Sequence, residues 1–157
     1  MLTIRRFTEN DTSAILALFY DTVHHVNAAH YTPAQLDVWA PSLDAKQLAQ
    51  WQHSLMQHDT FVAILDDRIV GFSDVAADGY LDRLYVHKDY QRRGIATALL
   101  KRIEQATGAQ DITTYASITA KPFFEHHGYE VVRQQVVVRR GIELINFHML
   151  KKRLGHT

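Results

Sequence analysis

LDRLYVHKDYQRRGIATALL, residues 81–100, decides how this chain is read. With Tyr80 in front, its first part is rich in aromatic and branched residues and reads as a strand, Tyr80 to Val86. Its last part sets Ile95, Leu99 and Ile103 on one stripe, which predicts a helix from about Gly94 to Ala106 with Gly108 past its end. Between the two, a short polar loop delivers Gln91, Arg92, Arg93 and Gly94 to the helix N-terminus. The first four N–H groups of a helix have no intrahelical partner, and the aligned peptide dipoles present partial positive charge there. Such an end suits a phosphate. Two arginines add charge-assisted bonds, Gly94 has no Cβ to block close approach, and Ala96 is nearly as small. The plainer reading makes Arg92 and Arg93 a solvated pair and Gly94 a turn residue. A P-loop is excluded because no Gly-Lys-Ser/Thr follows, and the three spaced glycines of a dinucleotide fingerprint are missing. A nucleotide carrying a diphosphate remains compatible with the loop.

Upstream, Leu2 to Phe7 alternates as a first strand, and Asp11 is placed to cap a helix carrying Ile15, Leu18, Phe19, Val23 and Val26 on one face. Thr32-Pro33 starts another helix, which Pro41 limits to about two turns. A third helix places Leu48, Trp51 and Leu55 together. Thr60 to Leu65 and Ile69 to Val75 read as antiparallel strands joined at Asp66, Asp67 and Arg68, and Asp78-Gly79 turns the chain into the Tyr80 strand. Downstream come a short strand, Ile112 to Ala116, a helix from Pro122 to about His127 stopped by Gly128, and a hairpin of Tyr129 to Val138 and Ile142 to Leu150 around Gly141. This order predicts an α+β fold, a mixed but mostly antiparallel twisted sheet of about six to seven strands with helices on both faces.

The chain has 157 residues, 46% of them hydrophobic, with no linker-like stretch or repeat, and predicts a single domain over 1–157. Its 17 basic and 17 acidic side chains cancel, which argues against a nucleic-acid partner. No apolar run is long enough for a membrane span and the N-terminus turns polar too early for a signal peptide, so a cytoplasmic protein without a membrane partner is expected. With no cysteine, thiolate metal sites and cysteine nucleophiles are ruled out. The ten histidines include the adjacent pairs His24-His25 and His126-His127, but neighbours on a helix point about 100° apart and no His-Glu-x-x-His spacing occurs. No metal is expected.

The run Gln91-Arg92-Arg93-Gly94-Ile95-Ala96 after a strand ending in Leu84-Tyr85-Val86 resembles the pyrophosphate-binding motif of the GCN5-related N-acetyltransferases, the GNAT family. Ser117, Ala120, Phe123, Phe124 and then HGYEVV, 127–132, resemble that family's second signature, and the order of elements matches from Leu2 to Leu150. The resemblance implies acetyl-CoA as co-substrate, lying where the Tyr80–Val86 strand splays from the Ile112–Ala116 strand. It implies that the backbone of Leu84, Tyr85 and Val86 pairs with the pantetheine arm and that the amides of Gln91, Arg92, Arg93, Gly94, Ile95, Ala96 and Thr97 hold the pyrophosphate. Ser117 would stand near the pantetheine, Lys121 near the phosphate end and Phe124 near the thioester. Tyr31 and Trp39 would shape the acceptor site; Trp39 as ordinary core is the alternative. The acceptor would be a small-molecule amine or a peptide amine, and the protein a monomer or a homodimer.

Direct transfer needs an unprotonated amine, a stabilised oxyanion and a leaving thiolate. A lysine-like amine lies roughly 3.4 pH units above neutrality, about 4.6 kcal/mol, whereas a thiol lies about 1.5 units away, about 2 kcal/mol. Deprotonation is the larger demand. Asp82 is the candidate base, a structural pairing with Arg83, Arg92 or Arg93 being the alternative. The tyrosine that serves the family as general acid is Phe124 here. Three routes follow: the thiolate leaves unprotonated, Tyr115 or Tyr85 supplies the proton, or catalysis is lost and the domain only binds or senses acyl-CoA. A backbone N–H near Tyr85 or Val86 is the candidate oxyanion donor.

Overall fold

The computed structural model describes residues 1–42 and 44–153. In chain order the elements are β1 (Thr3–Arg6), α1 (Thr12–His25), α2 (Pro33–Trp39), α3 (Ala45–Gln57), β2 (Asp59–Leu65), β3 (Arg68–Val75), β4 (Tyr80–Val86), α4 (Ile95–Ala106), β5 (Asp111–Ser117), α5 (Lys121–His126), β6 (Glu130–Arg139) and β7 (Ile142–Lys152). The strands form one sheet of seven in the order β1-β2-β3-β4-β5-β7-β6. Every neighbouring pair is antiparallel except β4 and β5, which α4 connects as a crossover. The α+β reading holds.

Two tight turns fix the long hairpins. Asp66 and Asp67 both take positive φ (52° and 60°), as do Arg140 and Gly141 (51° and 77°), the backbone hand that matches strand twist in a two-residue turn. One sheet face carries α4 and α5 over a core that includes Phe61, Leu81, Ile95, Leu99, Ile103 and Ile112. The other face carries α1, α2 and α3 over Ile15, Phe19, Val23, Leu36, Leu55, Val62 and Phe72. Gly71 brings α4 close to the sheet: a Cβ there would meet Leu99 Cδ1 at 3.0 Å and Ile95 Cγ2 at 3.2 Å.

Asp11 corrects the sequence reading. No side chain caps α1, because Asp11 ends a preceding 3-10 turn and its carboxylate is taken by Arg5 (2.8 and 2.9 Å) and the Thr8 N–H (2.8 Å). These bonds hold its pKa below the usual aspartate value. Thr32 does cap α2, accepting from the Gln35 N–H at 3.2 Å with Pro33 in the first turn.

Candidate active site

The site begins where the sheet opens. β4 and β5 are in register only at Tyr80–Thr113 and Leu81–Thr114; from Asp82 onward β4 has no partner on that side. The phase of the β3–β4 ladder decides what it presents there. The His87 N–H donates to Val70 O at 2.8 Å, which makes that opposed pair the hydrogen-bonded kind and the next pair, Gly71–Val86, the other kind. The N–H and C=O of Val86 and Leu84 therefore point into the opening, and those of Tyr85 point to β3. The Val86 carbonyl is already met by Gln91 Nε2 (2.6 Å) and Thr22 Oγ1 (3.2 Å). The Leu84 N–H and C=O and the Val86 N–H remain on the open edge.

The opening leads to the N-terminus of α4. Gly94, at φ 77°, precedes the helix with no capping side chain, and the first intrahelical bond is that of Ala98 to Gly94 O, so the amides of Ile95, Ala96 and Thr97 have no partner within the helix. Nothing lies within 4 Å of where a Gly94 Cβ would stand. Arg92 and Arg93 are exposed, and neither forms an ion pair among the described residues; Arg93 lies over the Tyr90 ring at 5.0 Å. Gln91 also reaches His87 O at 3.3 Å and so ties the loop to the end of β4. Three other sequence candidates are engaged within the chain. Thr97 Oγ1 meets His127 Nε2 at 3.2 Å, Lys121 pairs with Glu125 at 3.6 Å, and Ser117 Oγ accepts from the Ala120 N–H at 3.0 Å and from Asn27 Nδ2 at 3.4 Å.

A cavity of about 510 Å³ fills the splay, walled by Leu84, Tyr85, Val86, Ala96, Ser117 and Phe124 at one end and by Tyr31, Trp39, Trp51 and Phe19 at the other. That volume accommodates a small organic ligand. Tyr31 and Trp39 meet edge to face at 5.1 Å, but the Tyr31 hydroxyl is spoken for, donating to Ile145 O at 2.7 Å and accepting from the Ile118 N–H at 2.9 Å. Tyr31 is thus a clamp between the turn that follows β5 and β7 as well as a wall. Phe124 is 3% exposed and packs on Tyr129 at 5.2 Å. The Tyr85 ring packs between Phe19 (5.0 Å) and Phe72 (5.7 Å); burial raises its pKa, while the Trp39 indole pulls the other way. Tyr115 is 41% exposed, with its ring against Tyr80 (5.8 Å) and His148 (5.0 Å). Sequence reasoning missed Arg139 and Asn146, brought to the cavity from β6 and β7; the Asn146 Oδ1 is buried without a partner among the described residues.

Asp82 faces the same cavity and receives the Tyr80 hydroxyl at 3.4 Å. Burial raises its pKa, Arg83 at 3.6 Å opposes the rise and Asp74 adds to it. Arg83 itself binds Asp74 Oδ2 at 2.5 Å and Ser54 Oγ at 3.0 Å, and lies over the Trp51 ring at 4.4 Å. His58 Nδ1 meets the same Asp74 oxygen at 2.8 Å. His58, Asp74 and Asp82 place ligand-type atoms within 4.8 Å of one another, a spacing that would suit a metal ion, but the Arg83 guanidinium already supplies the cation there. Of the adjacent histidine pairs, His24 reaches Ala40 O at 2.8 Å and His25 reaches Asp21 O at 2.7 Å, separate backbone contacts rather than one chelating face.

With this geometry in hand, comparison with known proteins gives consistent results. The model of the acetyltransferase (GNAT) domain matches residues 27–151. The uncharacterized N-acetyltransferase YafP of Escherichia coli K12 is 37% identical over 149 residues, 95% of each chain. Among solved structures, a GCN5-related N-acetyltransferase from Rhodopseudomonas palustris superposes with a TM-score of 0.90 at 29% identity, covering 96% of this chain and 94% of that one. The PaiA N-acetyltransferase of Thermoplasma acidophilum, solved with coenzyme A, shares the fold at a TM-score of 0.78 and 17% identity, with 97% and 99% covered.

Proposed function

The chain belongs to the GNAT acetyltransferase family, and we propose that it moves an acetyl group from acetyl-CoA directly to a primary amine of a small molecule or peptide, in the cavity between β4 and β5. One observation carries this reading: an unpaired strand edge at Leu84 and Val86 runs to the uncapped amides of Ile95, Ala96 and Thr97, a track for an extended amide-bearing arm ending in phosphates. The coenzyme A bound to the Thermoplasma relative supports it. When bound, acetyl-CoA supplies the acyl group as a thioester.

The residues divide the work as follows. Leu84 and the Val86 N–H align the arm, while Arg92, Arg93 and the α4 amides hold the diphosphate, with the helix dipole adding to the charge. Gln91 keeps the loop on β4. Ser117 shapes the turn into α5 and Phe124 packs near the reacting carbonyl, while Lys121, paired with Glu125, does not line the cavity. Tyr31 and Trp39 wall the acceptor. Because amine deprotonation is the larger demand, about 4.6 kcal/mol against about 2 for thiolate departure, Asp82 is the residue that matters most. Its raised pKa brings it closer to the working pH, which improves a general base. The oxyanion donor falls to the Val86 N–H rather than that of Tyr85. Burial makes Tyr85 hold its proton more tightly, so the acid role falls to Tyr115 or to no side chain.

Phe124 favours a second reading, a domain that binds acyl-CoA without turning it over. Acetyl-CoA raises the melting temperature under both, so the deciding test is thiol release over a panel of primary amines with mass detection of the acetylated product. Binding without release from any amine supports the second reading.

A further inference from the structure

We infer that the proton taken from the acceptor amine leaves through the interior of the sheet, from Asp82 by way of Asp74 to His58, and not back through the acceptor cavity. The inference rests on the transferase reading above. The overall reaction converts a protonated amine and a thioester to an amide, a thiol and one free proton, so each turnover must export a proton once the amine lone pair has bonded to the acyl carbon. Asp82 lies on the wall of the main cavity, the space the acceptor would occupy. His58 lines a different indentation of about 190 Å³, formed with Arg6, Thr8, Glu9 and Met56. Among the described residues, none borders both.

Asp74 joins them. It is 0% exposed and borders neither space; its Oδ2 holds His58 at 2.8 Å and Arg83 at 2.5 Å, and its Oδ1 has no partner among the described residues. A buried carboxylate needing only charge balance would be satisfied by Arg83 alone. The cluster instead holds two carboxylates, one guanidinium and one imidazole, so a single proton neutralises it, whether on Asp82 or on His58. With their atoms within 4.8 Å, that proton has two seats, one facing the substrate and one facing the second indentation. The charged groups facing His58 are Asp74 on β3, Asp82 and Arg83 on β4, and Arg6 and Glu9 at the indentation; Ser54 and Thr60 are neutral. Contact with Asp74 raises the His58 pKa, against burial and Arg83.

The first test needs no catalysis. The His58 ring is titrated by NMR in the full chain and in Asp82→Asn; loss of a charge within 4.8 Å should lower its pKa by about 0.6 unit even at the dielectric constant of water. An unchanged His58 titration overturns the relay. The second uses His58→Asn, whose amide keeps a donor on Asp74 but cannot titrate. At saturating acetyl-CoA its kcat should fall about tenfold or more, with KM for acetyl-CoA unchanged and rate restored by free imidazole, as general acid–base transfer implies. Wild-type kcat and an unchanged pH profile in that variant overturn the inference. Should His58→Asn fail to fold, His58→Gln and the Asp82-dependent titration decide. If the wild-type protein binds acetyl-CoA but acetylates no amine, the transferase reading fails, and the titration still reports separately on the coupling.

Discussion

Replacing Gly94 with alanine separates two consequences of one atom. Gly94 sits at φ 77°, ψ 8°, a conformation that costs an L-residue about 1–2 kcal/mol. Beyond its chain neighbours, an added methyl meets no atom of the described residues within 4 Å, so that backbone term dominates the cost to the free protein. For a chain of this size, about 2–4 °C of melting temperature is lost per kcal/mol, so calorimetry should record a drop of about 2–8 °C. Titration calorimetry with acetyl-CoA should show a further effect, because the methyl projects where the diphosphate must approach the α4 amides; a tenfold weaker Kd, about 1.4 kcal/mol, is expected. Arg92, also left-handed at φ 62°, provides the control: Arg92→Gly relieves strain instead of creating it and should not lower the melting temperature. An unchanged melting temperature in Gly94→Ala refutes the backbone argument. A lower one with unchanged acetyl-CoA affinity refutes the diphosphate's place.

Three further outcomes follow. Asp82→Asn should reduce kcat about 10²-fold or more, the range for a lost general base, with acetyl-CoA affinity nearly unchanged in the same calorimeter. Gly71→Val forces Leu99 and Ile95 away from the sheet and should destabilise the protein by about 1–3 kcal/mol in urea unfolding, with acetyl-CoA affinity falling too as α4 shifts. The Asp11 carboxylate has a lowered pKa in the folded state, so its contribution is full above its unfolded value of about 3.9 and disappears as pH falls through the folded one. Arg5→Gln should remove the arginine's share of that acid dependence, the Thr8 N–H keeping the rest, and leave the profile above pH 5 parallel to wild type.

The strand at Tyr80–Val86, the α4 start after Gly94 and both hairpins could be read from the sequence because period, turn residues and helix-start signals agreed there. Asp11 could not, since a carboxylate before a helix looks the same whether it caps that helix or binds an arginine on the neighbouring strand. The phase of β4 was also hidden. Whether Tyr85 or its neighbours turn their amides into the splay depends on pairing with β3, which nothing in residues 84–86 encodes. Hidden for the same reason were Arg139 and Asn146, which the β6–β7 hairpin brings to the cavity from far along the chain, and the contact of His58 with Asp74 across two strands. Ser117 and Lys121 stand out by motif position alone, and their engagement with Ala120 and Glu125 is set by the local turn into α5, which motif position does not encode.

The central claim is that acetyl-CoA completes an unpaired strand edge and caps α4, and amide hydrogen exchange followed residue by residue tests it most directly. Saturating acetyl-CoA should slow exchange at Leu84, Val86, Ile95, Ala96 and Thr97 and leave Tyr85, already turned to β3, as it was. Protection absent from those five amides, or equal at Tyr85 and its neighbours, would contradict the account.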